Sequence, residues 1–71
     1  MALSMGEKVR ILIRRKKTTI AALAGLLGTS RQNLTNKLNR DNLTEKELQE
    51  IAEALGCQFE GFFIFSDGEK I

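Results

Sequence analysis

The side chains best suited to specific chemistry lie in one segment, residues 30–37, which runs Ser-Arg-Gln-Asn-Leu-Thr-Asn-Lys. Arginine can donate to the acceptor pair of guanine, and glutamine or asparagine can match the donor and acceptor of adenine. Lysine and hydroxyl groups suit phosphate oxygens. The chemistry that this pattern indicates is recognition by hydrogen bonding.

Catalytic chemistry is not indicated. The chain has no histidine and a single cysteine, Cys57, which removes the usual general base and the commonest metal ligand. Cys57 follows a predicted helix end and lies beside aromatic residues, which favours a packed thiol over a nucleophile. We therefore predict no enzyme activity, no metal and no cofactor. A lone cysteine also excludes an intramolecular disulfide and is typical of a reducing cytoplasm.

Charge is distributed unevenly along the 71 residues. Residues 1–40 carry nine basic side chains and one acid, net +8, whereas residues 41–71 carry two basic side chains and eight acids, net −6. This asymmetry indicates a polyanion facing one side of the fold. The alternative interpretation is that the charges only solvate helices. No run of residues is apolar and long enough to cross a membrane, and the first residues lack a signal-peptide pattern, so we expect a cytoplasmic protein.

The polar segment is preceded by the residues of a sharp turn between two helices. Ala24 is small enough for a close approach of two backbones. Gly28 can take a positive φ without steric cost, and Ser30 stands where an N-cap hydroxyl would accept from free amides. Leucines at the helical spacing can close over a shared core, namely Leu23, Leu27, Leu34 and Leu38. This arrangement predicts a helix-turn-helix whose second helix exposes its polar face, and that exposed face predicts DNA binding.

Two further helices flank this pair. Ser4 with Glu7, and Thr44 with Glu47, have the spacing of capping boxes, and Gly56 favours a helix end. The sequence thus predicts a mainly α fold with helices at about 5–16, 20–27, 31–39 and 45–55, in a single domain covering 1–71. Residues 57–65, which hold all four phenylalanines, alternate as a β-strand does. Asp67-Gly68 then suggests a short hairpin.

Residues 5–56 resemble the Cro and lambda-repressor class of helix-turn-helix domains, often called the Xre family. The matching residues are Leu23-Ala24, Leu27-Gly28, Thr29-Ser30-Arg31-Gln32, Leu34, Glu47-Leu48, Ile51-Ala52 and Leu55-Gly56. The resemblance implies a four-helix DNA-binding domain. The tail resembles the C-terminal strand through which Cro-like proteins dimerise more than it resembles the all-helical repressors.

The resemblance also implies roles for individual residues, because the second helix of the motif enters the major groove in this family. It nominates as base contacts Arg31, Gln32 and Asn36, with Asn33 and Thr35 peripheral. It nominates as backbone contacts Thr19, Ser30, Lys37, Arg40 and Asn42. The expected dimer or partner surface consists of Phe59, Phe62, Phe63, Ile64 and Phe65.

The leading hypothesis is a sequence-specific regulator, a small repressor that binds an inverted-repeat operator in double-stranded DNA as a homodimer. The alternative is a protein-interaction module, such as an antitoxin-like partner, whose aromatic tail docks on another protein. RNA binding is disfavoured because no aromatic residues are interleaved with the basic ones. No small-molecule ligand is indicated.

Overall fold

A computed structural model describes residues 3–71. They form four helices, α1 (Met5–Arg15), α2 (Ile20–Leu27), α3 (Arg31–Arg40) and α4 (Glu45–Ala54). The expected four-helix, mainly α fold is confirmed, and each expected helix end lies within one residue of the observed end. The expected domain of residues 1–71 extends to two N-terminal residues that lie outside the described residues.

Each helix is directly preceded by a hydroxyl residue, whose side chain accepts a hydrogen bond from a backbone amide in the first turn. These N-cap residues are Ser4, Thr19, Ser30 and Thr44. The expected capping boxes at the starts of α1 and α4 are both present, with Glu7 and Glu47 bonding back to the cap amides. The ends of α2 and α4 also have the expected glycines, and Gly28 has φ of 72°. The helix boundaries therefore follow from local hydrogen bonding.

The core is made of one buried stripe from each helix. Leu23 of α2 is fully buried, and Leu34 and Leu38 of α3 pack against it. α3 packs against both α1 and α2, and α2 also contacts α4. The other buried members of the cluster are Val9, Ile13, Ala24, Leu48 and Ile51. This core fixes the angle between α2 and α3 and leaves the polar side of α3 outside.

α1 and α3 lie in close backbone contact at Gly6. A Cβ atom at this position would overlap the carbonyl oxygen of Leu38, so the two backbones leave no space for a side chain. The amide of Gly6 donates to the carboxylate Oδ1 of Asp41 at 2.7 Å. Asp41, just beyond α3, therefore binds a free amide at the positive end of α1.

The expected strand over residues 57–65 is not confirmed. Within residues 3–71 the tail forms one isolated antiparallel bridge, between Ile64 and Lys70, closed by a turn at Asp67 and Gly68. A strand needs the amides and carbonyls of a neighbour, and within residues 58–65 the backbone bonds to a facing segment are those of Phe63 with Ile71 and of Phe65 with Glu69. Residues 57–62 consequently have no partner strand and remain irregular.

Among residues 3–71, every helix falls short of the length and apolar content needed to cross a bilayer.

Candidate nucleic-acid interface

The polar face of α3 is presented to solvent because its apolar face is anchored in the core. Leu34 and Leu38 are 2% and 3% exposed. Arg31, Gln32 and Asn33, which form the first turn of α3, are all exposed. The candidate base-contacting residues therefore begin at the free N-terminal end of a rigid helix, and only Thr35 and Asn36 are partly covered.

Gln32 and Asn36 are joined on this face. The amide nitrogen Nε2 of Gln32 donates to Oδ1 of Asn36 at 3.2 Å, one helical turn apart. Among residues 3–71, the acceptor Oε1 of Gln32 and the donor Nδ2 of Asn36 have no hydrogen-bond partner. The remaining pair of groups has the donor and acceptor complement that the major-groove edge of adenine requires.

Asn33 lies differently, because its side chain turns back toward the helix-turn-helix corner. Its Nδ2 donates to the hydroxyl Oγ1 of Thr29 at 2.8 Å. Thr29 occupies the turn directly after Gly28. The amide–hydroxyl bond thus ties the turn to the first turn of α3, and in the free protein Asn33 stabilises the motif.

Thr19 and Ser30, the N-cap residues of α2 and α3, accept hydrogen bonds from the backbone amides of Ala22 and Asn33 at 3.1 and 3.0 Å. Acceptance of these bonds leaves each hydroxyl proton available for donation. Both side chains are exposed. Each can therefore cap its helix and donate to a phosphate oxygen at the same time.

Lys37 is paired within the protein. Its Nζ forms a salt bridge with Oε2 of Glu47 in α4, the only ion pair found in the part of the chain that the structure describes. The bond from Lys37, followed by the one from the Thr44 amide, lowers the pKa of the Glu47 carboxyl below its usual 4.5. Lys37 must therefore leave or share this carboxylate if it is to contact a phosphate.

The other candidate backbone contacts, Arg40 and Asn42, flank the end of α3. Both are exposed, and the amide of Asn42 donates to the carbonyl of Lys37 at 3.0 Å, which closes the helix. A neighbouring contact, between Arg10 Nη2 and Asn39 Oδ1 at 2.6 Å, joins α1 to the last turn of α3. This pair could not be predicted from the sequence, because its partners are 29 residues apart.

The candidate dimer or partner surface lies in the tail. Phe63 and Ile64 are 78% and 69% exposed, and Phe62 and Phe65 are also open to solvent. Phe59 differs from them because it is partly buried against the helical core. Four large apolar side chains next to one another are therefore uncovered in the single chain.

The four-helix fold and the exposed polar face of α3 define a helix-turn-helix DNA-binding protein. The model of the family described as the Cro/C1-type HTH DNA-binding domain matches residues 8–68, and the chain belongs to that family. The match covers both the polar face of α3 and most of the tail. No match is found among curated proteins or among solved structures. The protein is accordingly a DNA-binding regulator of the Cro/C1 type.

Proposed function

We propose that this protein is a small repressor that binds an inverted-repeat operator as a homodimer. The observation that carries the proposal is the first turn of α3, where Arg31 and Gln32 are exposed to solvent above a buried leucine stripe. In the proposed complex α3 lies in the major groove, and two copies contact half-sites about 34 Å apart. The simplest mode of repression by such a DNA-binding domain is occlusion, in which the bound protein blocks access of RNA polymerase to the promoter.

The base contacts in this proposal are shared by three residues. Arg31 donates to guanine, while Gln32 and Asn36 use the free ends of their joined amides on adenine. Thr35 and Asn33 lie at the margin. Asn33 would first have to give up its bond to Thr29.

The backbone contacts surround the two helix starts and the end of α3. Thr19 and Ser30 donate their hydroxyl protons, and Arg40 supplies a positive charge that forms no ion pair within the described part of the chain. Asn42 lies beside it, and Lys37 contributes after exchanging Glu47 for a phosphate. These contacts set the register of the protein on the duplex without reading its sequence.

The first experiment is a selection of binding sites from random duplexes at two salt concentrations. We expect an enriched inverted repeat whose half-site spacing reports the geometry of the dimer. Uniform binding that falls steeply with salt would contradict the proposal, because it would mean that the basic residues bind phosphate without reading bases.

The second experiment replaces the two residues of the first turn, in the double variant Arg31→Ala plus Gln32→Ala. Both side chains are exposed, so the fold should persist, while each lost base contact should cost about 1–3 kcal/mol of specific binding. The matched control is Lys46→Ala plus Gln49→Ala, which removes one cation and one amide from the exposed side of α4. Equal losses in the two variants would contradict base readout by α3.

A second candidate function is suggested by the exposed tail. A protein-interaction module would use Phe62, Phe63 and Phe65 to bind a different protein, with DNA binding secondary. Light scattering separates the two candidates. A clean homodimer favours the repressor, whereas a monomer that co-purifies from its host in a stable complex with another protein favours the interaction module.

A further inference from the structure

All four helices end with the same hydrogen-bonding pattern around a left-handed residue. In α1, for example, the amide of Lys17 donates to Arg14 at 3.0 Å, and the next amide, of Thr18, reaches Ile13 at 3.1 Å. The left-handed residues are Lys17, Gly28, Asp41 and Gly56. Glycine is preferred at this position because a Cβ atom makes the left-handed conformation unfavourable. Two of the four helices therefore depart from the preferred residue.

For Asp41 the structure shows what the side chain contributes. Its carboxylate accepts from the amide of Gly6, which fastens the start of α1 to the end of α3. A glycine would lose this bond. The unfavourable conformation of Asp41 is thus offset by a contact within the fold.

Lys17 has φ of 54° but no such contact. Its side chain is exposed, and within residues 3–71 it takes part in none of the hydrogen bonds, ion pairs or cation–π contacts. A glycine at position 17 would adopt the left-handed conformation at the end of α1 at least as easily. A backbone conformation that is unfavourable and has no internal compensation points to a requirement outside the fold.

The surroundings of Lys17 indicate what that requirement is. Lys17 ends the basic run Arg14-Arg15-Lys16-Lys17, whose four side chains are all exposed. None of them forms an ion pair among the described residues. Two residues later, the exposed hydroxyl of Thr19 is the proposed phosphate contact at the start of α2. The corner between α1 and α2 therefore combines uncompensated positive charge with a free hydroxyl donor.

We propose that Lys17 is a DNA-backbone contact, which binds a phosphate next to the one approached by Thr19. This inference rests on the proposed function, since it needs a duplex seated on α3. It extends the contact surface from α3 to the corner between α1 and α2. Lys17 adds affinity and helps to fix the register, and it contributes nothing to the choice of bases.

The test is the variant Lys17→Gly, measured for both stability and DNA binding. We expect its thermal midpoint to stay the same or rise, because glycine suits the left-handed conformation. We expect its affinity to fall several-fold on every duplex, specific or not. The slope of log K against log salt concentration should decrease by about 1, which corresponds to one phosphate contact.

Three further variants complete the design. Lys17→Asn removes the charge but tolerates the left-handed conformation, so it should lose the same affinity. Lys17→Arg keeps the charge and should bind as the wild type does. Lys46→Ala removes one positive charge from the exposed side of α4 and should leave the salt slope unchanged.

The outcomes are distinguishable. If the wild-type protein binds no duplex, the proposed function fails. If the wild type binds and Lys17→Gly matches it in affinity and salt slope, the proposed function stands and the role of Lys17 is refuted. A clear drop in the thermal midpoint of Lys17→Gly would also refute it, because the side chain would then support the fold.

Discussion

At the scale of single residues, the junction of α1 and α3 has no space for a side chain at Gly6. We predict that Gly6→Ala destabilises the protein, because the added methyl group would overlap the backbone oxygen of Leu38 and would disturb the bond from Gly6 to Asp41. Forcing α1 away from α3 should cost about 1–3 kcal/mol of unfolding free energy. Urea denaturation followed by circular dichroism measures this cost.

The matched control is Gly25→Ala, the same substitution inside α2. Apart from its chain neighbours and the backbone of α2 itself, no atom of residues 3–71 lies within 4 Å of a Cβ atom built at this exposed position. The change should therefore stabilise the protein by up to about 1 kcal/mol, because alanine favours a helix interior over glycine. A Gly6→Ala variant as stable as the wild type would show that the junction can open at little cost.

Single residues also show how far the sequence could predict the site. The capping roles of Ser30 and Thr44 and the left-handed turn at Gly28 were predictable, because each depends on neighbours within a few positions. The bond from Gly6 to Asp41 was not, since it joins residues 35 positions apart. The hydrogen bond from Asn33 to Thr29 was also not predictable from the sequence. An asparagine side chain can bond to a base, to solvent or to its own helix, and only the structure shows which partner it has.

At the scale of elements, α3 and α4 are joined by the bond between Lys37 and Glu47. This bond and the one from the Thr44 amide lower the pKa of the Glu47 carboxyl in the folded state. A carboxyl whose folded pKa is lowered stabilises the fold above its unfolded pKa, and this contribution is lost as the pH falls through the folded value. We predict that the free energy of unfolding decreases on acidification below about pH 4.5, in part through Glu47. Denaturant titrations from pH 7 to pH 3 measure this decrease.

Glu47→Gln tests the assignment, because glutamine can still bond to the Thr44 amide but cannot pair with Lys37. The variant should lose up to about 1 kcal/mol near neutral pH and show a shallower decrease in acid. Glu50→Gln, on an exposed position of the same helix, is the control and should keep the wild-type pH dependence. Identical pH profiles for wild type and Glu47→Gln would exclude this carboxyl as a source of acid sensitivity.

The elements differ in how well their sequence determines them. Each helix carries its own N-cap residue and an apolar stripe at the helical spacing, and α2 and α4 also end at a glycine. The bounds of all four could therefore be predicted within one residue. The alternation of aromatic residues after Cys57 also favoured a strand, but a strand depends on a neighbour. Among the described residues the facing segment pairs with the tail only near Ile64, and the pattern produces one bridge there.

At the scale of the whole molecule, the two ends of the chain have opposite characters. The half with net +8 contains α1, α2 and α3, and the half with net −6 contains α4 and the tail. Since acidic residues repel phosphate, the duplex is expected to approach the α3 side and the tail to face away from it. The exposed phenylalanines of the tail are then free to contact another protein chain while DNA is bound.

The proposed homodimer makes this surface the place where two copies meet. We predict that the wild-type protein at tens of micromolar has about twice the chain mass of 7.9 kDa in light scattering. The double variant Phe63→Ser plus Phe65→Ser should be a monomer that keeps its helical content, because both residues lie outside the helices and are exposed. Leu26→Ser removes an exposed apolar side chain from α2 and should remain a dimer.

The same variants distinguish dimerisation from other uses of the tail when they are examined on DNA. A monomer can engage only one half-site, so the Phe63 and Phe65 variant should lose its preference for the full inverted repeat while keeping its preference for the half-site sequence. Loss of both preferences would mean that the tail supports α3 itself. A wild type that is monomeric at high micromolar concentration, and stays so on the operator, would exclude the dimer and leave the tail as a surface for a different protein.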